Sequence, residues 1–581
     1  MSQDLRLQPP GSNALFGWMR HYRRAWLAGD LTAGLVVGIM IIPQSMAYAM
    51  LAGLPVQIGL YASILPLIGY ALLGSSMTLS VGPVAVTGLM TATLLAPLAT
   101  VGSADYLQLA IWLALLSGLM LLGFGLLRLG FLANFLSHPV ISGFISGAAI
   151  LIVLSQLPKL LGLRGWPDSP LDLLGSWNTG NSLVLAMGLV ALGWLLYARG
   201  KLAGHLRGLG LSATLASLLA KLAPILVVVL GVLITLLADL PSKGVPVVGE
   251  IPAGLPELVW NTPDLSALRS LLLPAALISL VSFVESVSIA QSLARRKRQS
   301  IDPDRELLGL GAANIGAGLS GGFAVCGGFS RSSVNIEAGA NTPLAGVFSA
   351  LLVGLILISI APLFAWLPQV VLAAVILVAV VPLVDLASLR RAWRYDRAEG
   401  LTLLSTAVGV LVLGIEAGIV LGVCFAIVAQ LWRGSRPHVA VVGRVPDTHY
   451  FRNTKRHLVE IEPHLLALRI DENIFFANTK AVEQAISQAL ADYPDTREVL
   501  LILSAVNHID STGLDMLSEL TEGLRERDIR LHLAEVKGPV MDQLQHTDWI
   551  RQQIAGVFPS TDIAFNTLGK VRDRAPEHSG E

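Results

Sequence analysis

Three features of the sequence predict a polytopic α-helical membrane protein that ends in a small soluble α/β domain. The chain of 581 residues is 54% hydrophobic and only 14% charged, whereas an ordinary soluble domain is about 25% charged. Its apolar residues are concentrated between positions 30 and 433. From 434 onward charges recur every few residues, and short apolar runs alternate with amphipathic ones. A large soluble enzyme with buried helices is excluded by runs such as 351–384, because large soluble chains divide into domains with polar surfaces.

A bilayer core requires about 20 apolar residues per helix. Spans are expected near 30–48, 53–74, 83–98, 105–128, 131–156, 182–198 and 223–240. A second group is expected near 268–293, 306–320, 331–343, 344–362, 366–386, 398–413 and 416–433. The total is about fourteen, several of them short or broken by Gly and Pro.

Lys and Arg outside the spans give the orientation. Arg20, Arg23 and Arg24 precede the first span. Arg199, Lys201, Arg207 and Lys221 follow the sixth, Arg295, Arg296, Lys297 and Arg298 the eighth, and Arg390, Arg391, Arg394 and Arg397 the twelfth. Every cluster follows an even number of spans, so all fall on the cytoplasmic side. Loops 163–181 and 241–267 follow odd numbers and are Pro-rich and poor in Lys and Arg. The run 295–298 is therefore read as a topological signal rather than a lipid or nucleic-acid patch.

The expected organisation is a cytoplasmic segment 1–29, a membrane domain 30–433, a cytoplasmic α/β domain 434–570 and a disordered tail 571–581. Positions 1–29 lack the pattern of a cleaved signal peptide. Lys plus Arg and Asp plus Glu each number 40, so net charge gives no case for nucleic-acid binding. The two cysteines, Cys326 and Cys424, lie in apolar sequence without metal-ligand spacing. The loop 241–267 splits the spans into two groups of about seven, and an odd number per group is the condition for an inverted repeat.

Two segments are poor continuous helices. In 77–86, Gly82 and Pro83 interrupt the apolar run; proline suits a first helical turn, so a helix is expected to begin at Pro83. In 321–333, a Gly-rich stretch leads to Ser330 as expected N-cap of a short helix from Arg331. They occupy the third and tenth spans, corresponding places in the two halves. Matched interruptions of this kind point to a transport site. Free N–H groups and the positive end of each helix dipole favour an anion there, and Arg331 adds a full charge.

Glu285 is a second charge in apolar sequence, where an ionised group is costly unless paired or hydrated. It reads as a carboxylate coupling transport to a proton or cation. The structural alternatives are an ion pair with Arg331 or a glutamate held neutral by burial. Ser288, one turn later, could help to hold sodium, so the coupling ion stays open.

These residues carry a resemblance to the sulfate permease family (SulP, solute carrier family 26). The first match runs from Asp30 through Gly34, Gly38, Pro43, Gln44, Met46, Tyr48 and Gly53 to Pro55, and on to Gly59 and Tyr61. The second runs from Asp304 and Glu306 through Asn314 to Ser330, Arg331 and Gly339. The resemblance implies two inverted repeats of seven segments, a core and a gate domain, a C-terminal STAS domain and a homodimer in the inner (cytoplasmic) membrane. It places the anion between half-helices three and ten, with Gln44, Tyr48, Val84, Ala85, Ser330 and Arg331 as substrate-binding residues. Several animal members carry phenylalanine at the Val84 position, which implies a wider or less aromatic pocket here. Proton-coupled plant and bacterial members resemble this chain in having glutamate at the Glu285 position. No cofactor is implied beyond a coupling proton or sodium ion. Sulfate, bicarbonate, dicarboxylates and monovalent anions all occur among relatives, and one arginine does not choose among them.

Gly309 and Gly311 begin a dinucleotide-like pattern, but Asn314 stands where its third glycine belongs and no βαβ unit surrounds it. The pairs Gly34/Gly38, Gly143/Gly147 and Gly414/Gly418 have the spacing of close helix contacts. In the tail, strands are expected at 465–470, 499–504 and 529–534, and helices at 479–492, 512–526 and 539–546. The turn 510–514 resembles the STAS motif whose serine is phosphorylated in soluble relatives, which makes Ser511 a candidate regulatory site. Simple helix capping by Asp510, Ser511 and Thr512 is the favoured reading, and His508 beside them reads as structural. The leading function is a secondary active anion carrier. A passive anion channel and a membrane sensor signalling through the STAS domain are the alternatives. No nucleophile–base or metal set suggests an enzyme.

Overall fold

The computed structural model describes residues 17–134, 137–163, 181–252, 254 and 264–569. The expected tail 571–581, the first sixteen residues and parts of loops 163–181 and 241–267 lie outside them. Two compact units are present, one ending at Phe425 and the other beginning at Ala426.

The first unit is helical. In chain order it contains α1 (Leu27–Leu51), α2 (Val56–Tyr61), α3 (Leu65–Leu73), β1 (Val81–Gly82), α4 (Ala85–Leu95), α5 (Ala104–Leu126) and α6 (His138–Leu161). There follow α7 (Ser182–Tyr197), α8 (Ala213–Lys221), α9 (Ala223–Ala238), α10 (Leu265–Lys297) and α11 (Pro303–Leu319). Then come β2 (Cys326–Gly327), α12 (Phe329–Glu337), α13 (Leu344–Ser359), α14 (Gln369–Val380), α15 (Leu386–Tyr395), α16 (Arg397–Leu413) and α17 (Ile415–Gly434), whose residues from Ala426 onward belong to the second unit. Among the described residues eight helical stretches are long and apolar enough to cross a membrane, or nine if α8 and α9, bent by 44°, form one span. Val190, Leu237 and Val412 are each at least 73% exposed, which is at home against lipid rather than water. The chain is a multi-pass membrane protein.

A helix lies at every expected span. The fifth begins at His138 rather than 131, because Ser137 and Pro139 form a helix start. Without water to drive apolar association, membrane helices approach through small residues. A Cβ on Gly34 would stand 2.5 Å from the Phe348 Cβ, and one on Gly143 2.3 Å from the Leu403 carbonyl. Gly418 is equally tight, 2.4 Å from Val410 N. Gly414 departs from expectation: nothing lies within 4 Å of it, and its φ of +90° turns the chain between α16 and α17. Gly309 and Gly311 are packing positions too, against Gly74 and Leu122.

Helices α3, α5, α10 and α11 pack together, as do α6, α7, α14 and α16. Within the first group the Glu306 carboxylate, 0% exposed, receives the Ser75 and Ser76 N–H groups at 3.0 and 2.8 Å, the Ser75 hydroxyl at 2.6 Å and the Tyr70 hydroxyl at 2.8 Å. Asp30 does the same elsewhere, accepting from the Asn341 and Thr342 N–H groups and the Thr342 hydroxyl. These buried acids satisfy backbone that the helices cannot.

The second unit holds β3 (Val439–Arg444), β4 (Phe451–Asn453), β5 (Leu465–Ile470), α18 (Thr479–Asp492), β6 (Glu498–Ile502), α19 (Ser511–Arg525), β7 (Arg530–Ala534), α20 (Gly538–Leu544), β8 (Gly556–Phe558) and α21 (Thr561–Gly569). The sheet order is β4-β3-β5-β6-β7-β8. Strands β5 to β8 are parallel, and β3 is antiparallel to both neighbours. Leu466, Val499 and Leu531 share one core, whereas Ala467, Leu500 and Ala534 face α21 on the other side. The three expected strands and three expected helices are present; β3, β4, β8 and α21 are additional.

Glu306→Ala strips four donors of their acceptor, and hydrogen bonds to a buried charge contribute about 1.5–3 kcal/mol each. The expected outcome is a melting temperature in detergent lowered by several degrees; an unchanged value would remove Glu306 from this role.

Candidate functional site

The two interrupted spans meet. β1 and β2 pair antiparallel, with Val81 opposite Gly327 and Gly82 opposite Cys326. So short a ribbon, buried throughout, needs polar side chains to complete its hydrogen bonding. Gly328 N–H donates to the Ser80 carbonyl at 3.0 Å, and Ser80 N–H donates to the Ser332 hydroxyl at 2.8 Å. The Asn335 amide donates to the Thr78 carbonyl at 3.0 Å. Asn314 acts as a substitute strand: its Oδ1 accepts from Val325 N–H at 2.9 Å and its Nδ2 donates to the Val325 carbonyl at 2.9 Å. Each partner is many residues distant in the chain.

Both half-helices begin where the ribbon ends. α4 starts at Ala85 rather than Pro83; Val84, extended at φ −134° and ψ 161°, is its N-cap. The Pro83 carbonyl has another use, accepting Arg331 Nη1 at 2.6 Å. α12 starts at Phe329 with Gly328 as N-cap and no side-chain cap. Ser330 is therefore not the cap, and it is exposed. The first-turn N–H groups of both helices have no intrahelical partner.

Arg331 is 2% exposed, and its Nε and Nη2 have no hydrogen-bond partner. A Cβ on Gly82 would stand 3.3 Å from Arg331 Nη2, and one on Gly328 2.9 Å from it. Both glycines thus make room for the guanidinium as well as interrupting helices. The Ser80 hydroxyl is a further buried, unpartnered group on this ribbon. Gln44, Tyr48, Val84 and Ala85 are buried, at 8, 7, 8 and 4% exposure. Tyr48, Arg331 and Glu285 lie within electrostatic range of one another.

Glu285, in α10, does not pair with Arg331: no ion pair joins them among the described residues. Its Oε2 lies 3.5 Å from Cys326 Sγ. It also lines a small, half-open apolar cleft with Val281 and Val284 of its own helix, Val140, Ile141, Phe144 and Ile145 of α6, and Ile419 of α17. The other expected site residues do not line this cleft. Ser288 is exposed, whereas Ser286 is buried and its hydroxyl accepts Gly327 N–H at 2.8 Å. Sequence reasoning missed Ser80, Asn314, Cys326, Ser286, Ser332 and Asn335. Asn314 stands in the second stretch of family resemblance but without a role there, and the others signal themselves only by polarity within apolar runs, which does not name a partner.

In the second unit Asp510 is the N-cap of α19, its Oδ1 accepting Gly513 N–H at 2.7 Å and its Oδ2 accepting Phe476 N–H at 2.8 Å. Ser511 is the exposed first residue of that helix, and His508 is exposed beside it.

A multi-pass membrane fold enclosing an unpaired guanidinium between two helix starts defines a class, the anion transporters with interrupted helices. Residues 27–406 match the sulfate permease family and residues 457–563 the STAS domain. The chain is 36% identical over 531 residues to Sulfate transporter 4.1, chloroplastic, of Arabidopsis thaliana, covering 89% of this chain and 77% of that one. It is 35% identical over 541 residues to a probable sulfate transporter of Mycobacterium tuberculosis, covering 90% and 92%. The fold resembles murine Solute Carrier 26 family member A9 in its inward-facing state (TM-score 0.86, 23% identity, 95% and 94% covered). It also resembles the transmembrane domain of the cyanobacterium bicarbonate transporter BicA (TM-score 0.58, 24% identity, 68% and 98% covered). The chain belongs to the sulfate permease family, as an anion transporter with a C-terminal STAS domain, and it is not an enzyme.

Asn314→Leu preserves bulk but leaves both polar groups of Val325 unpaired, at about 1–3 kcal/mol each. Faster deuterium exchange at the Val325 amide and a lower melting temperature are expected; parental exchange would show that Asn314 does not support the ribbon.

Proposed function

We propose that this chain is a secondary active carrier of sulfate, coupled to protons or sodium. The observation that carries the reading is the buried Arg331 guanidinium, with two unpartnered nitrogens between the starts of α4 and α12. A desolvated cation with free donors is costly unless an anion completes it. Helix N-termini supply further N–H groups and a favourable dipole. Sulfate is favoured over other anions because the relatives at 35–36% identity are sulfate transporters, one of them a probable one. Ser330, Gln44, Tyr48, Val84 and Ala85 are the remaining candidates for the binding wall.

Glu285 is the coupling group in this reading. Its carboxyl lies within electrostatic range of Arg331, and apolar side chains surround it in the cleft. The cleft separates α10, from the first helical group, and α6, from the second, where one body would rock against the other to expose the anion alternately. Interrupted spans at matching positions support the seven-plus-seven inverted arrangement. The positions of Lys and Arg support a cytoplasmic N-terminus and STAS domain in the inner membrane, with the STAS domain serving dimerisation or regulation and Ser511 a candidate for phosphorylation.

The test is uptake of labelled sulfate, bicarbonate, succinate and chloride into proteoliposomes, with and without pH or sodium gradients. Sulfate uptake driven by one gradient is expected. Arg331→Ala is expected to lose sulfate binding by about a hundredfold, the factor that roughly 2–3 kcal/mol of charge-assisted bonding represents. Unchanged affinity would move the site elsewhere. Glu285→Gln is expected to abolish gradient-driven accumulation, and parental uptake across pH would leave a passive channel.

A further inference from the structure

The carboxyl proposed as the coupling group and the ribbon that aims the anion site are joined at two adjacent points. α10 presents Glu285 and Ser286 in succession, and β2 consists of Cys326 and Gly327. Cys326 Sγ lies 3.5 Å from Glu285 Oε2, and Gly327 N–H donates to Ser286 Oγ at 2.8 Å. Successive strand residues offer first a side chain and then a backbone donor to the same neighbour, so the helix holds both. Glycine is required at the second point: a Cβ at 327 would stand 2.9 Å from Leu79 Cδ1 and 3.2 Å from Ser286 Oγ. From Gly327 the chain passes through Gly328 directly into α12, whose third residue is Arg331.

We infer that Cys326 and Ser286 are positioning residues that transmit the charge state of Glu285 to the anion site. The inference rests on the reading of Glu285 as the coupling group. When Glu285 is ionised, the thiol donates to a carboxylate, and a charge-assisted hydrogen bond is roughly twice as strong as a neutral one. When a proton or sodium ion neutralises it, that hold weakens, while the Ser286–Gly327 bond remains as a pivot. β2 then turns about the pivot and re-aims the N–H groups of α12 and the Arg331 side chain. Anion affinity thereby acquires two values, one for each state of Glu285.

The groups facing Glu285 favour this path. Cys326 on β2, Arg331 on α12 and Tyr48 on α1 are its charged or titratable neighbours. Among the described residues, the cleft receives Val140, Ile141, Phe144 and Ile145 from α6 and Ile419 from α17, all apolar. Among these partners the Cys326 thiol is the donor in contact with the carboxylate.

The test uses the full-length chain in proteoliposomes, with sulfate uptake measured across pH and with each gradient for Cys326→Ala, Cys326→Ser, Ser286→Ala and Ser286→Thr. Cys326→Ala and Ser286→Ala are expected to reduce the ratio of gradient-driven to passive uptake by about tenfold, the weight of roughly one hydrogen bond, and to flatten the pH profile. Cys326→Ser, which keeps a donor toward Glu285, and Ser286→Thr, which keeps the accepting hydroxyl, are expected to restore most of the ratio. A purely packing role would lower expression or total uptake but leave the ratio and the profile unmoved, and that result overturns the inference. Should Ser286→Ala fail to fold, Cys326→Ala decides alone. If the parent itself responds to neither gradient, the coupled-transport reading fails first and the inference falls with it.

Discussion

Backbone N–H and C=O groups inside a membrane have no water to turn to, and this constraint organises the transport domain. Two of its helices stop within apolar sequence, and each stop frees several backbone groups. Pairing β1 with β2 settles only part of the account, because each strand is two residues long. Asn314, Ser332, Asn335, Ser286 and Glu306 supply the rest, from helices on several sides. These side chains, though buried among apolar neighbours, are structural components of the site, and their hydrogen bonds hold two helix starts facing each other.

Two groups at the ribbon escape that satisfaction, the Ser80 hydroxyl and, with a full charge at stake, the Arg331 guanidinium. One of its nitrogens is bound to the Pro83 carbonyl, and two have no partner. A protein that finds partners for distant backbone amides could have placed a carboxylate against this guanidinium; Glu285 is near enough to be felt, but faces Cys326 instead. In the proposed function, this hydrogen-bonding capacity is what an anion would satisfy. The glycines serve the same end. At Gly82 and Gly328 they leave space for the guanidinium, and at Gly34, Gly143 and Gly418 they let helices touch closely enough to hold the frame.

Much of the architecture was legible in the sequence because membrane burial writes itself locally. Runs of about 20 apolar residues mark spans whatever lies beside them, and the helices stand where those runs are. Gly82, Pro83 and the 321–328 stretch marked the interruptions because Gly and Pro act on their own backbone. Details of the interruptions were misjudged for the same reason: proline at 83 favours a helix start locally, but its carbonyl was claimed by an arginine 248 residues away. Ser330 has the chemistry of a cap, yet α12 begins one residue earlier and leaves it exposed. In the C-terminal domain the parallel strands β5, β6 and β7 were evident, whereas β3 and the short edge strands β4 and β8 were not.

Hydrophobicity and chain breaks, both properties of neighbouring residues, therefore determined from sequence alone the membrane class, the span positions, the two interrupted helices and the soluble α/β tail. Only tertiary structure decided how the interruptions are used: that Val81 lies opposite Gly327, that Cys326 and Ser286 link α10 to the ribbon, and that Arg331 reaches Pro83. Those contacts join residues that are tens to hundreds of positions apart. No periodicity or local propensity encodes such a pairing, because it exists only once the helices have packed.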